Sequence, residues 1–100
     1  MPRLRYSERS RDDLVAIWHF IATDSPRNAE AVLQRLHDKC ERLRHQPLIG
    51  HRRDERRRGL RCLNSDGYMI FYRPTIRLVR IDRIIHHSRH LSAVFLDSPP

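Results

Sequence analysis

The chain is 100 residues long, enough for one small domain whose single core buries about two-thirds of the unfolded surface. Twenty Lys and Arg against 12 Asp and Glu leave a formal charge of +8, and every one of those cations except Lys39 is arginine. Such an excess points to an anionic partner, either nucleic acid or an acidic protein segment. No apolar run approaches the roughly 18 residues of a membrane span, and Met1-Pro2-Arg3-Leu4-Arg5 lacks the apolar stretch of an export signal. Cys40 and Cys62 are too few for a disulfide framework and lack the CxxC spacing of a zinc site. A cytoplasmic protein with both thiols reduced in the core is expected.

Arg3 to Tyr6 reads as an opening strand, and Ser7 as the cap of a first helix. Leu14, Ile17, Trp18 and Ile21 fall at i, i+3, i+4 and i+7, one helical stripe that Val15 and Phe20 would widen. Asp24-Ser25-Pro26 ends that helix and starts another, with Ser25 as cap and Pro26 in the first helical position, where its missing N–H costs nothing. Ala29, Val32, Leu33, Leu36, Cys40 and Leu43 make the second stripe, and Pro47 ends the helix near His45. So short a connection predicts an antiparallel helical hairpin.

From Gly50 to Gly59 the sequence is almost wholly polar and reads as a loop. Leu60 to Leu63 is a short strand, Asn64-Ser65-Asp66-Gly67 a turn, and Tyr68 to Tyr72 a strand rich in β-formers. After a turn at Pro74-Thr75, Ile76 to Ile85 supplies a long strand with Val79, Ile81 and Ile85 on one face. The tail offers a short helix at Leu91 to Phe95. The order β-α-α-β-β-β describes an α+β domain, a small antiparallel sheet with the hairpin packed on one face. Residues 1–96 are expected to form the domain and 97–100 a frayed end.

These residues resemble the ParE branch of the RelE/ParE toxin superfamily over roughly residues 3 to 91. The resemblance runs through Tyr6-Ser7, Asp13-Leu14 and Ile17-Trp18, then Pro26, Ala29, Pro47 and Gly50. It continues in Gly59-Leu60-Arg61, Tyr68-Met69-Ile70-Phe71-Tyr72-Arg73 and Ile81-Asp82-Arg83-Ile84-Ile85-His86. The Phe-Tyr-Arg strand, the Gly-x-Arg step before it and the Arg-x-x-His strand end are together its most specific part. The resemblance implies a toxin of a bacterial type II toxin–antitoxin module, with no cofactor. Members of this branch with known targets poison DNA gyrase, and a ParD-like antitoxin masks them with a C-terminal segment. DNA would then be contacted only indirectly, through antitoxin or gyrase.

Candidate site residues follow from charge and pattern together. Residues 1–45 carry 9 cations and 7 anions, and residues 46–100 carry 11 and 5, so the excess belongs mainly to the sheet half. The run Arg52, Arg53, Arg56, Arg57 and Arg58 is either a solvated loop, partly neutralised by Asp54 and Glu55, or a docking surface for an acidic partner. Arg61, Arg73 and Arg83 lie on successive strands, where they pair with Asp66 or Asp82 or form a basic patch on the helix-free face. With His86, Arg89 and the segment to Leu91 they make the expected toxic surface. Leu14, Trp18, Leu33 and Leu36 are expected to line a groove for antitoxin side chains.

The C-terminal histidines invite two sharper readings beside this binding role, a metal site and ribonuclease chemistry. His86, His87 and His90 are a poor metal site, because neighbours on a strand end point opposite ways. A RelE-like messenger ribonuclease would need a base, an acid and a cation on the phosphate, for which His86, Tyr72 and Arg61 or Arg73 are the right types. The region after the last strand offers histidines but no tyrosine. A non-enzymatic toxin is expected; a ribosome-dependent ribonuclease or a non-toxic, antitoxin-binding co-repressor are the alternatives.

Overall fold

The computed structural model describes residues 1–88. In chain order they form β1 (Arg3–Tyr6), α1 (Glu8–Ala22), α2 (Pro26–His45), β2 (His51–Arg52), β3 (Arg61–Ser65), β4 (Tyr68–Pro74) and β5 (Leu78–His86). Both helix starts follow the capping logic of the sequence. Ser7 Oγ accepts from the Ser10 N–H at 3.0 Å, and Ser25 Oγ accepts from the Asn28 N–H at 3.1 Å. Ser7 also donates its hydroxyl to the Asp82 carbonyl at 2.8 Å, tying the start of α1 to β5.

The sheet order is β1-β5-β4-β3-β2. Its pairings are antiparallel from β2 through β5, whereas β1 joins β5 in parallel, so the α+β arrangement stands with one parallel edge. The polar segment after α2, expected to be loop throughout, contributes the two-residue strand β2. The β3–β4 turn is tighter than the four residues expected. Asn64 and Ser65 continue the strand, and only Asp66 (φ 55°) and Gly67 (φ 82°) turn, both with the positive φ that a two-residue hairpin of matching twist requires.

The α1 stripe is narrower than expected. Ile17 is buried, and Leu14, Trp18 and Ile21 are partly buried, but Val15 and Phe20 are 57% and 78% exposed and lie off the core face. Between the helices and the sheet, Ile17, Val32, Leu36, Cys40 and Leu43 pack on Tyr68, Ile70, Tyr72, Val79, Ile81 and Ile84. A smaller cluster, Leu60, Cys62, Met69, Phe71 and Ile85, lies on the opposite face.

Ile85 therefore does not share a face with Val79 and Ile81. Tyr72 pairs with Ile81 while Phe71 pairs with Arg83, leaving Asp82 as the extra residue of a β-bulge. One inserted residue reverses the inward–outward alternation beyond it. The short helix expected at Leu91 to Phe95 and the end at 97–100 lie outside the described residues.

Candidate partner-binding surfaces

The four apolar residues proposed for an antitoxin groove come together. Leu14 and Trp18 of α1 face Leu33 and Leu36 of α2 across a groove of about 440 Å³, which Tyr6, Glu30, Gln34, His37 and Ile84 complete. Leu36 forms its buried floor, and Leu14, Trp18 and Leu33 remain partly exposed. Sequence reasoning missed Tyr6 and His37 here. The signal was the alternation of β1, which turns Leu4 and Tyr6 toward the helices. The Tyr6 hydroxyl lies 3.0 Å from His37 Nδ1, with the two rings stacked. Burial, then the neighbouring Cys40, raise the Tyr6 phenol far above its ordinary value, so it stays neutral in the groove wall.

The strand arginines separate rather than forming one patch. Arg61 pairs with Tyr72 in register and so points to the helix side. Its Nη1 donates to the carbonyls of Leu48 and Gly50 at 3.1 and 2.8 Å. Arg73 lies on the helix-free face with a two-point ion pair to Asp82 at 2.7 and 3.2 Å, and Arg80 adds a third contact to the same carboxylate at 3.1 Å. Arg83 is not a surface residue. It is 7% exposed, and its guanidinium grips both oxygens of Asp13 at 2.8 and 2.9 Å. The Ile84 N–H donates to the same carboxylate at 2.9 Å, so Asp13 closes the stretch of β5 edge that the short β1 leaves uncovered. The bulge at Asp82 is what takes Arg83 out of the expected alternation.

Tyr72 is fully buried, and its hydroxyl accepts from the Gly50 N–H at 2.9 Å and donates to the Pro47 carbonyl at 2.8 Å. Burial raises its phenol pKa, with the Gly50 N–H and Arg61 opposing. His86 stands in register with Tyr68, four residues up β4 from Tyr72, hence about 13 Å further along the strand. Its Nδ1 accepts from the Ser88 N–H at 3.2 Å, and its ring meets Tyr68 edge-on at 5.2 Å. Together with Ala16, Ile17, Phe20 and Ile84 it lines a second groove of about 480 Å³. The proposed ribonuclease set of His86, Tyr72, Arg61 and Arg73 is thus spread over both faces and two ends of the sheet.

In the arginine run, Arg52 pairs with Asp54 at 2.8 Å and Arg53 with Glu55 at 3.2 Å, the neutralisation expected of a solvated loop. Arg56 and Arg58 are exposed and carry no ion pair among the described residues. Arg57 is partly buried. Arg89, His90 and Leu91 lie outside the described residues, and among those described no three His, Cys, Asp or Glu side chains converge on a metal position. No helix among them is long and apolar enough to cross a membrane. Cys40 and Cys62 are buried and unpaired, and burial pushes both thiols up to about 11.

Comparison with known proteins gives two findings. The family model described as the ParE toxin of the type II toxin–antitoxin system parDE matches residues 4–91. A solved chromosomal ParDE toxin–antitoxin system from P. aeruginosa is similar in fold, with a TM-score of 0.72 at 22% identity over 86% of this chain and 96% of that one. No curated relative matches.

Proposed function

The chain belongs to the ParE toxin family of type II toxin–antitoxin systems, and from that premise we propose that it acts without catalysis, binding DNA gyrase and stabilising the cleaved DNA complex until a ParD-like antitoxin masks it. The observation that carries the non-catalytic part is the employment of Tyr72 and Arg61. Both hold the segment after α2 by its backbone, Tyr72 through Gly50 and Pro47, Arg61 through Leu48 and Gly50. A general acid must reach a substrate proton, and a fully buried phenol with both hydrogen bonds made inside the fold does not. Arg73 is neutralised by Asp82 in the same way.

The groove between α1 and α2 supports the antitoxin part. An amphipathic helix presents apolar anchors at i, i+3 and i+4, and Leu14, Trp18 and Leu33 offer partly exposed apolar walls for them. Arg56 and Arg58 supply free cations for acidic residues elsewhere on such a partner.

Purified protein is tested with gyrase and supercoiled plasmid, and in parallel in a translating extract whose messenger ends are mapped. Gyrase-dependent linearisation of the plasmid with intact messenger is the expected result. Messenger cut at the ribosomal A site with gyrase unaffected would establish the ribonuclease instead. Silence in both assays, with antitoxin binding retained, would leave a co-repressor.

A further inference from the structure

We propose that the exposed apolar end formed by Leu48, Pro74 and Ile76 is the anchor by which this toxin grips its protein target, which offers there an apolar recess rimmed by carboxylates. The proposal rests on the gyrase reading and gives it a contact surface on the toxin. Ile76 is 95% exposed and Leu48 65%, so neither adds much burial to the fold. Single exposed apolar side chains are ordinary, but these are not isolated. Leu48 and Pro74 line one concavity of about 260 Å³ together with Leu60, Arg52 and Asp54. Ile76 stands two residues beyond Pro74, between β4 and β5, hence about 7 Å further out.

Both supports are fixed by backbone hydrogen bonds. The Thr75 N–H donates to the Leu78 carbonyl at 2.7 Å and the Leu78 N–H to Thr75 Oγ1 at 3.0 Å, closing the turn around Ile76 and Arg77. Turns favour Gly, Asn, Asp or Ser, and nothing in this bonding calls for a branched apolar residue at 76. On the other support the Tyr72 hydroxyl donates to the Pro47 carbonyl, and Arg61 to those of Leu48 and Gly50. The chain is thus tied down on both sides of Leu48 while its side chain stays outside. Side chains carried on so fixed a backbone need little ordering on docking, which suits them as binding anchors.

The charges around this end select the partner. Arg77 is exposed and carries no ion pair among the described residues. Arg73 adjoins Pro74 and begins a row in register, Arg73, Arg80 and Arg5, across three adjacent strands. Arg52, Arg73, Arg77 and Arg80 face only two carboxylates here, Asp54 and Asp82, so excess positive charge rings the apolar end. A second copy of the chain would bring like cations together, and a phosphate backbone has no recess for Ile76. A protein surface with an apolar hollow and an acidic rim meets both demands. None of Leu48, Pro74 and Ile76 lines the α1–α2 groove, so antitoxin docking there can be measured apart from this contact.

Binding is measured by surface plasmon resonance on immobilised gyrase, and poisoning by the toxin concentration that linearises half of a supercoiled plasmid. Leu48→Ser and Ile76→Ser are each expected to weaken both readouts about tenfold, whereas Ile76→Val, which keeps a branched apolar side chain, loses little. Arg77→Glu, which reverses the charge beside the anchor, is expected to slow association several-fold. Thermal melting and affinity for a ParD-like antitoxin are expected to stay at wild-type values, because the replaced side chains are exposed and outside the groove. A Leu48→Ser/Ile76→Ser double variant that binds and poisons gyrase like the wild type would overturn the proposal. So would antitoxin affinity that falls in step with gyrase affinity, an equal loss of binding to plasmid without gyrase, or undiminished association of Arg77→Glu. A wild-type protein that leaves gyrase untouched would instead overturn the gyrase reading itself, and that result is visible before any substitution is made.

Discussion

Asp13 shows how much one carboxylate can organise. It neutralises Arg83, a nearly buried cation, and satisfies the Ile84 N–H at the uncovered edge of β5. Removing one member of a buried pair leaves the other charged and dry, at a cost of about 3–5 kcal/mol. Asp13→Ala is therefore expected to lower the urea midpoint severely in a domain whose whole stability is of order 5–15 kcal/mol. Asp66 works on a smaller scale. Its hydrogen bond from Arg35, at 2.7 Å, holds its carboxyl below the usual range, with Ser65 helping. A depressed folded pKa contributes stability above the unfolded value, about 3.9, and that contribution is lost as pH falls through the folded value. Arg35→Ala should thus cost stability at neutral pH but nothing at pH below both values. The pair is solvent-screened, so the loss is under about 1 kcal/mol. Urea titrations of both proteins across that pH range measure it, and NMR should show the Asp66 pKa rising in the variant.

Among the elements, the start of the segment between α2 and β3 is held by its backbone, through Tyr72 and Arg61. A Cβ at Gly50 would stand 2.5 Å from the Tyr72 hydroxyl and 2.9 Å from the Cys62 carbonyl. Gly50→Ala must push apart the contacts that fix the segment, at roughly the 1–3 kcal/mol of an overpacked core, read as a shift in urea midpoint. The helical groove makes the matching prediction for binding. Trp18→Ala removes a large aromatic wall and should weaken antitoxin binding by about 2 kcal/mol, near 30-fold. Leu33→Glu, placing a carboxylate against apolar anchors, should do at least as much; calorimetry with a ParD-like antitoxin measures both. The groove was legible in the sequence because Leu14, Trp18, Leu33 and Leu36 follow a helical period that the helices obey. The fate of Arg83 and Ile85 was not, because a bulge at Asp82 leaves no mark in a period-two pattern. Nor was the row Arg5–Arg80–Arg73, which exists only once the register is known.

For the whole molecule, the +8 charge resolves into groups with different employment. Arg61 and Arg83 serve the fold, Arg52, Arg53 and Arg73 are paired, and Arg3, Arg5, Arg56, Arg58 and Arg77 have no ion pair among the described residues. Raising salt from 0.1 to 1 M contracts the screening length from about 10 to 3 Å. Association with an acidic antitoxin should therefore slow by about tenfold or more in stopped-flow measurements, while dissociation from the apolar groove changes little.

The parallel pairing of β1 with β5 has a consequence in time as well as in space. Residues 3–6 find their place only beside residues 78–81, and the groove wall needs Ile84 as well as Tyr6 and Leu14. A nascent chain still short of β5 lacks both the finished groove and the strand that orders β1. Contacts so distant in sequence are slow to form, because the entropy of closing the intervening chain opposes them. The groove proposed for the antitoxin therefore comes into being almost together with the completed sheet, and a partner that docks there is expected to meet its site at about the moment the toxin acquires its shape.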